Sequence, residues 1–130
     1  MAYLATPQWV KITKTFADFS TAGATNEITI YTLGAKQAID QCLIYPTTVF
    51  SGGTIASYTI SVGISGTAAK YGIAANVFTG ASLSAINILA GVESMSGTTS
   101  IKATAISTVG LLNATTQGSV DIYLRIATLP

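Results

Sequence analysis

Apolar and polar residues alternate with a period of two in several segments of this chain, and this alternation most restricts the fold that it can adopt. In residues 119–128 four aliphatic side chains share one face, whereas Asp121, Tyr123 and Arg125 share the other. In residues 56–64 an apolar series that begins with Tyr58 alternates with Ser and Thr. Such alternation is typical of strands with one face in the core. Because Asp121 and Arg125 stand four residues apart, we expect each to find its partner on a neighbouring strand rather than in the other.

Further strands and turns are predicted along the chain. The additional strand segments, rich in β-branched and aromatic residues, are residues 9–16, 27–33, 38–50 and 99–107. The two glycines in residues 51–54 predict a hairpin connection, and Gly-containing turns are predicted at residues 65–66, 96–97 and 117–118. Pro46 has no N–H to donate to a ladder, so its strand is expected to end, bulge or run along an edge there.

Helical signals are weak, and the strand pattern therefore decides the fold class. Residues 68–78 could form a short helix, although Gly72 interrupts it, and residues 83–90 fit either a helix or a strand. The sequence predicts an all-β fold, an antiparallel β-sandwich that is jelly-roll-like and has at most one short helix. We expect residues 1–8 to form an N-terminal arm and residues 9–130 to form a single β-sandwich domain.

The chain is poor in the side chains on which most enzymes depend. It has no His, one Cys, five acidic and six basic residues, against 20 Thr and 12 Ser. Without His, a nucleophilic Ser or Cys lacks its usual general base, and the acids are too scattered in sequence to suggest a metal site. Cys42 lies in an apolar strand, where a buried and inert thiol is expected. We therefore predict that the protein is not an enzyme and that it uses no cofactor and no metal.

Charge and hydropathy argue against two classes of partner. The net charge is +1 and the basic residues are scattered, so we predict no nucleic-acid binding. No apolar run is long enough to span a bilayer, and the N-terminus lacks the pattern of a signal peptide, so we predict no membrane contact and no secretion. A mean hydropathy of +0.55 with 8% charged residues indicates that part of the surface is covered in an assembly. The alternative is an uncharged monomer that its hydroxyl groups keep in solution.

Apolar residues near the N-terminus and aromatic residues of later loops are the candidates for an interface. The predicted interface residues are Tyr3, Leu4, Pro7, Trp9, Tyr71 and Phe78. As an alternative, Tyr71 and Phe78 would contact a glycan. Most aromatic side chains of a small domain pack in its core or cover a sheet face, and that is the alternative for the aromatic candidates.

Three segments give the chain a resemblance to the small structural proteins of tailed bacteriophages. They are residues 16–28 (FADFSTAGATNEI), 50–64 (FSGGTIASYTISVGI) and 118–124 (GSVDIYL). The similarity is one of composition, since Thr, Ser, Ala and Gly dominate a short all-β chain, and it includes no catalytic residue.

The resemblance implies a capsid decoration or cement protein. Such a protein would be made in the host cytoplasm and would lie at the capsid surface of the virion. Its partners would be the major capsid protein and copies of itself, with a homotrimer as the expected oligomer. The alternatives are a receptor-binding or glycan-binding module of a phage fibre or spike, and a tail or shell component.

Overall fold

Two antiparallel sheets make up the fold. The structure is a computed structural model that describes residues 7–79, 84–86 and 92–130, with residues 84–86 described by their backbone alone. Within these residues the chain forms eight strands: β1 (Gln8–Thr15), β2 (Thr25–Leu33), β3 (Gln37–Ser51), β4 (Ser57–Ile64), β5 (Thr67–Asn76), β6 (Ser84–Ile86), β7 (Thr99–Thr108) and β8 (Gln117–Thr128). A short helix, α1 (Phe16–Phe19), follows β1, and a 3₁₀ turn (Leu112–Ala114) precedes β8.

Strands from the two halves of the chain pair in reverse order, the first with the last, as in one long hairpin that has been folded into two sheets. Sheet A has the order β1-β8-β3-β6, and sheet B has the order β2-β7-β4-β5. Strand β1 therefore pairs with β8, β2 with β7, β3 with β6 and β4 with β5, all antiparallel. This arrangement confirms the predicted all-β, jelly-roll-like sandwich.

The core lies between the two sheets and follows from the alternation in the strands. On β8 the inward series Val120, Ile122, Leu124 and Ile126 is buried. Facing residues of sheet B, such as Ile60, are also fully buried. Burying apolar surface contributes about 25 cal/mol of stabilisation per Å², so this layer is the main source of stability.

Strand β5 corrects the prediction of a short helix at residues 68–78. Its pairing with β4 shifts register between Ile60 and Val62 and again between Val62 and Ile64, so two irregularities break the alternation that would have revealed it. Gly72 lies at this place because an added Cβ would press against the Ile44 side chain across the core. The predicted turn at residues 65–66 joins β4 to β5. The ambiguous segment 83–90 lies outside the described residues, except for β6.

The glycines in residues 51–54 do not form the predicted hairpin. They carry the chain from β3 in sheet A to β4 in sheet B, so the connection crosses between sheets. Gly52 and Gly53 have φ values of 147° and 54°, and an added Cβ at Gly52 would collide with the backbone of Ala114 and Thr116. A turn signal in the sequence cannot distinguish a hairpin from such a crossing.

The prediction for Pro46 is confirmed. The pairing of β3 with β8 shifts register between Pro46 and Thr48, which marks a bulge at the residue that cannot donate to the ladder. Strand β6 pairs with β3 only between Cys42 and Ile44, so β3 has no described neighbour on that side at Pro46.

Candidate functional site

The outer face of sheet A carries three rows of side chains across its strands. In the first row Trp9 of β1 and Gln41 of β3 flank Arg125 of β8. In the second row Lys11 and Leu43 flank Tyr123, and in the third row Thr13 and Tyr45 flank Asp121. These rows exist because the buried residues of each strand occupy the alternate positions.

The charges on this face are paired within the chain. Arg125 Nε donates to Asp40 Oδ1 at 2.6 Å, and the guanidinium carbon lies 5.8 Å from the centre of the Trp9 ring. The hydrogen bond to Asp40 raises the pKa of Arg125 above its usual value. Asp121 Oδ1 accepts a 2.7 Å hydrogen bond from Thr13, and its other oxygen lies 3.6 Å from Lys11 Nζ. Both partners lie on neighbouring strands, as the spacing in the sequence predicted.

Aromatic and aliphatic side chains fill the remainder of the face. Trp9 is 48% exposed and Tyr45 is 38% exposed, while Leu43 and Tyr123 between them are half-buried. We call these four residues the aromatic face. Aromatic residues and Arg are enriched where proteins bind one another, whereas unpaired charges are depleted there. This face therefore has the composition of a protein-binding surface.

The predicted interface residues do not all come together. Trp9 lies on the aromatic face, and Pro7 is exposed and precedes β1 directly. Tyr3 and Leu4 lie outside the described residues. Phe78 follows β5, is half-buried against the core, and donates its backbone N–H to Asn76 Oδ1 at 2.9 Å.

Tyr71 is a correction to the sequence analysis, which placed it among exposed loop aromatics. It lies on β5 and is 1% exposed, and its hydroxyl donates to the carboxylate of Glu93. Lys70 forms an ion pair with the same carboxylate. The ring is thus part of the core rather than of a surface that could meet a glycan.

This cluster and the cysteine are not poised for chemistry. Burial opposes ionisation of Glu93, but hydrogen bonds from Lys70 and Tyr71 outweigh it and lower the pKa of Glu93. Burial first, and then Glu93, raises the pKa of Tyr71, so at neutral pH the carboxylate stays charged and the phenol stays neutral. Burial raises the pKa of the Cys42 thiol to about 12, which leaves little thiolate to act as a nucleophile.

The described residues also contain no cluster of three His, Cys, Asp or Glu side chains that could hold a metal ion. None of the described helices is long and apolar enough to cross a membrane.

Several residues of the aromatic face escaped the sequence analysis. The alternation placed Tyr123 on the outer face of its strand, but nothing in the sequence placed Leu43 or Tyr45 beside it. That adjacency depends on β8 pairing with both β1 and β3, which are distant in sequence. Asp40 reaches Arg125 because β3 shifts register between Ile39 and Gln41, and no local signal marks that bulge.

Comparisons with known proteins bear on the fold alone. No protein-family model matches the chain, and no curated protein matches it. Among solved structures, a chain of the cyanophage Pam1 capsid asymmetric unit matches with a TM-score of 0.67 and 15% identity, over 99% of this chain and 86% of that chain. A chain of infectious bursal disease virus strain Gx matches with a TM-score of 0.42 and 22% identity, over 99% of this chain and 32% of that chain. The first match shows that this chain shares its fold with a protein of a viral capsid.

Proposed function

We propose that the chain is a virion structural protein, and specifically a decoration or cement protein that binds the outside of a phage head. The observation that carries this proposal is the match to a chain of the cyanophage Pam1 capsid asymmetric unit, which extends over 99% of this chain and 86% of the other. Because nearly all of both chains is aligned, the matched chain is itself of similar size, not one domain of a much larger subunit. A small subunit of one sandwich suits an added component better than the shell itself.

The chemistry of the described residues supports a structural role. Glu93 and Tyr71 are held in their ordinary protonation states, and the thiol of Cys42 is buried. We therefore assign the protein a role in binding rather than in catalysis.

The aromatic face is the surface that we assign to the capsid. It offers an exposed Trp9 whose ring lies against Arg125, and the charges beside it on the outer face of sheet A are neutralised within the chain. Such a face gains free energy by burying apolar area without leaving a charge unpaired. We extend this contact to Tyr3, Leu4 and Pro7, because these residues precede Trp9 in the chain. For Phe78 an interface role stays a prediction.

Each copy needs only modest affinity if copies act together. We propose that the protein associates with itself, with a homotrimer as the form that the resemblance to phage proteins implies. Linked binding sites add through avidity, so several weak contacts can tie neighbouring capsid subunits together.

A test of the role removes the gene from the virus that encodes it. We expect particles to assemble but to break at a lower temperature, and purified protein to bind them and restore their stability. If no particles form, the protein is a shell component, and the decoration proposal is wrong. If normal particles form and never bind the protein, a virion role of this kind is refuted.

A test of the surface compares Trp9→Ala with Ile73→Ala. Both remove an exposed apolar side chain, since Ile73 is 63% exposed, but Ile73 lies on β5 in sheet B. We expect Trp9→Ala to weaken particle binding about 30-fold, the effect of losing an interface residue worth about 2 kcal/mol, and Ile73→Ala to leave it unchanged. Equal affinities in a co-sedimentation assay would contradict the assignment of this face.

A glycan-binding module remains the second candidate, and the exposed ring of Trp9 is the observation that favours it. Glycan binding by the purified protein that Trp9→Ala abolishes would support this candidate.

A further inference from the structure

One side of the sandwich leaves its apolar side chains incompletely covered. Strands β1 and β2 are edge strands of their sheets, and α1 contacts both, so the two edges lie on the same side of the molecule. Most of the half-buried apolar residues that pack against the core belong to these elements: Val10, Ile12, Phe16, Ile28, Ile30 and Tyr31. We call this side, from β1 through α1 to β2, the β1–β2 seam. Its residues contact the core but still expose apolar area to water.

Within the described residues, no strand pairs with the outer backbone edge of β1 or of β2. Among the described edges, β6 has three residues and β5 has two register shifts, both of which hinder the addition of a strand. Strand β1 instead pairs with β8 through eight residues without a shift, so its other edge is regular. Strand β2 has one shift, between Thr29 and Tyr31, which adds Ile30 to the apolar side chains of the seam.

The two edges of the seam differ in charge. Lys14 lies near the end of β1, and Glu27 lies in β2. Neither forms an ion pair within the described residues, whereas Lys11, Lys70 and Arg125 each have a carboxylate partner. A chain with only 8% charged residues thus leaves Lys14 of β1, Asp18 of α1 and Glu27 of β2 without an ion pair in the part of this seam that the structure describes. A surface that is basic along one strand and acidic along the other is complementary to a copy of itself.

We propose that the β1–β2 seam binds a second copy of this chain, with the β1 edge of one copy against the β2 edge of the next. Lys14 of one copy then faces Glu27 of its neighbour, and the half-buried aliphatic residues of both copies are covered. Each copy offers both edges, so a closed symmetric assembly forms without a new surface. This inference deepens the proposed function, because an assembly would present several aromatic faces to a particle at once. It does not depend on particle binding, and the isolated protein suffices to test it.

The first experiment measures self-association of the purified protein by sedimentation velocity, with Lys14→Glu, Glu27→Lys and the double exchange. We expect each single reversal to raise the dissociation constant about tenfold or more, because it places like charges opposite each other. The double exchange should restore association to within about threefold of the wild type. Lys36→Glu, a reversal in the turn between β2 and β3, is the control and should have no effect. All three sites are at least partly exposed, and circular dichroism verifies that each variant folds.

The second experiment tests which edges meet. Because Cys42 is buried, engineered thiols are the reactive ones under native conditions. We expect a mixture of Lys14→Cys and Glu27→Cys proteins to form a disulfide-linked dimer on mild oxidation, and either protein alone to form little. Linkage within Lys14→Cys alone would instead show that β1 meets β1, which overturns the proposed pairing.

The proposal fails as a whole if the wild-type protein is a monomer at concentrations of tens of micromolar, a range in which a weak assembly forms. It also fails if the protein associates but all of the charge variants associate equally well. These results would not bear on particle binding, which the Trp9→Ala assay tests separately.

Discussion

Glu93 holds the segment that precedes β7 to the rest of the fold. Its carboxylate accepts the hydroxyl of Tyr71 and pairs with Lys70, both on β5. The next residue, Ser94, accepts a 2.8 Å backbone hydrogen bond from Lys36 in the turn between β2 and β3. The carboxylate is 10% exposed, so its charge is tolerated only because both neighbours compensate for lost water.

Replacing Glu93 by Gln should remove the stabilising ion pair with Lys70 and should alter how the free energy of unfolding depends on pH. At neutral pH we expect Glu93→Gln to lower the free energy of unfolding by about 1 kcal/mol, because Lys70 loses its counter-ion. The pKa of Glu93 is lowered from 4.5, so this contribution is complete above that pH and is lost as the pH falls through the lower value of the folded state. Urea unfolding of both proteins over a range of pH measures the difference, which should shrink towards zero in acid. A difference that does not vary with pH would show that Glu93 acts through packing.

At the scale of elements, β8 and β7 are inner strands, one in each sheet. Strand β8 lies between β1 and β3, and β7 lies between β2 and β4. On β8 the side chain of Ile122 points into the core and is fully buried. On β7 the side chain of Ile106 is 42% exposed, while its neighbour Ala105 is buried. Isoleucine thus occupies a core-facing position on β8 and a solvent-facing position on β7.

The same substitution at these two positions should have unequal effects. We expect Ile122→Ala to lower the free energy of unfolding by about 3 kcal/mol, because it leaves a cavity between the sheets. Ile106→Ala should cost less than about 1 kcal/mol, because water already contacts the side chain. Denaturant unfolding of both variants measures the contrast. Similar losses would mean that the outer face of β7 is buried in solution, as it would be in an assembly.

The sequence predicted the strands whose alternation is regular and missed the features that depend on register. Strand β8 needed only local information, because its buried side chains occur at every second position. Strand β5 was missed because its bulges and Gly72 remove that period. The aromatic face could not be assembled from sequence, since Tyr45 meets Asp121 only through pairing of strands that lie far apart in the chain. Exposure of Trp9 and burial of Tyr71 likewise depend on which sheet edge each strand occupies.

At the scale of the whole molecule, charge is scarce and mostly neutralised. The net charge is +1, and the charges on the outer face of sheet A are paired within the chain. Long-range attraction to the proposed particle would therefore be weak, and the proposed contact would rest on short-range burial of apolar area.

Particle binding should consequently be insensitive to salt. At protein concentrations above those needed for self-association, we expect affinity for the particle to change less than about threefold between low and high ionic strength. Co-sedimentation over a range of salt concentrations measures this, with Trp9→Ala as the variant that does lose binding. A loss of tenfold or more with salt would show that charges rather than the aromatic face carry the contact.

The turn between β4 and β5 offers a practical use for this scaffold. Ser65 and Gly66 are exposed, and an atom added at the Gly66 α-carbon would meet nothing within 4 Å. Foreign peptides can be grafted at such a tip without disturbing buried backbone. A vaccine epitope placed there would be displayed once per subunit and, on a particle that the protein covers as proposed, at regular spacing.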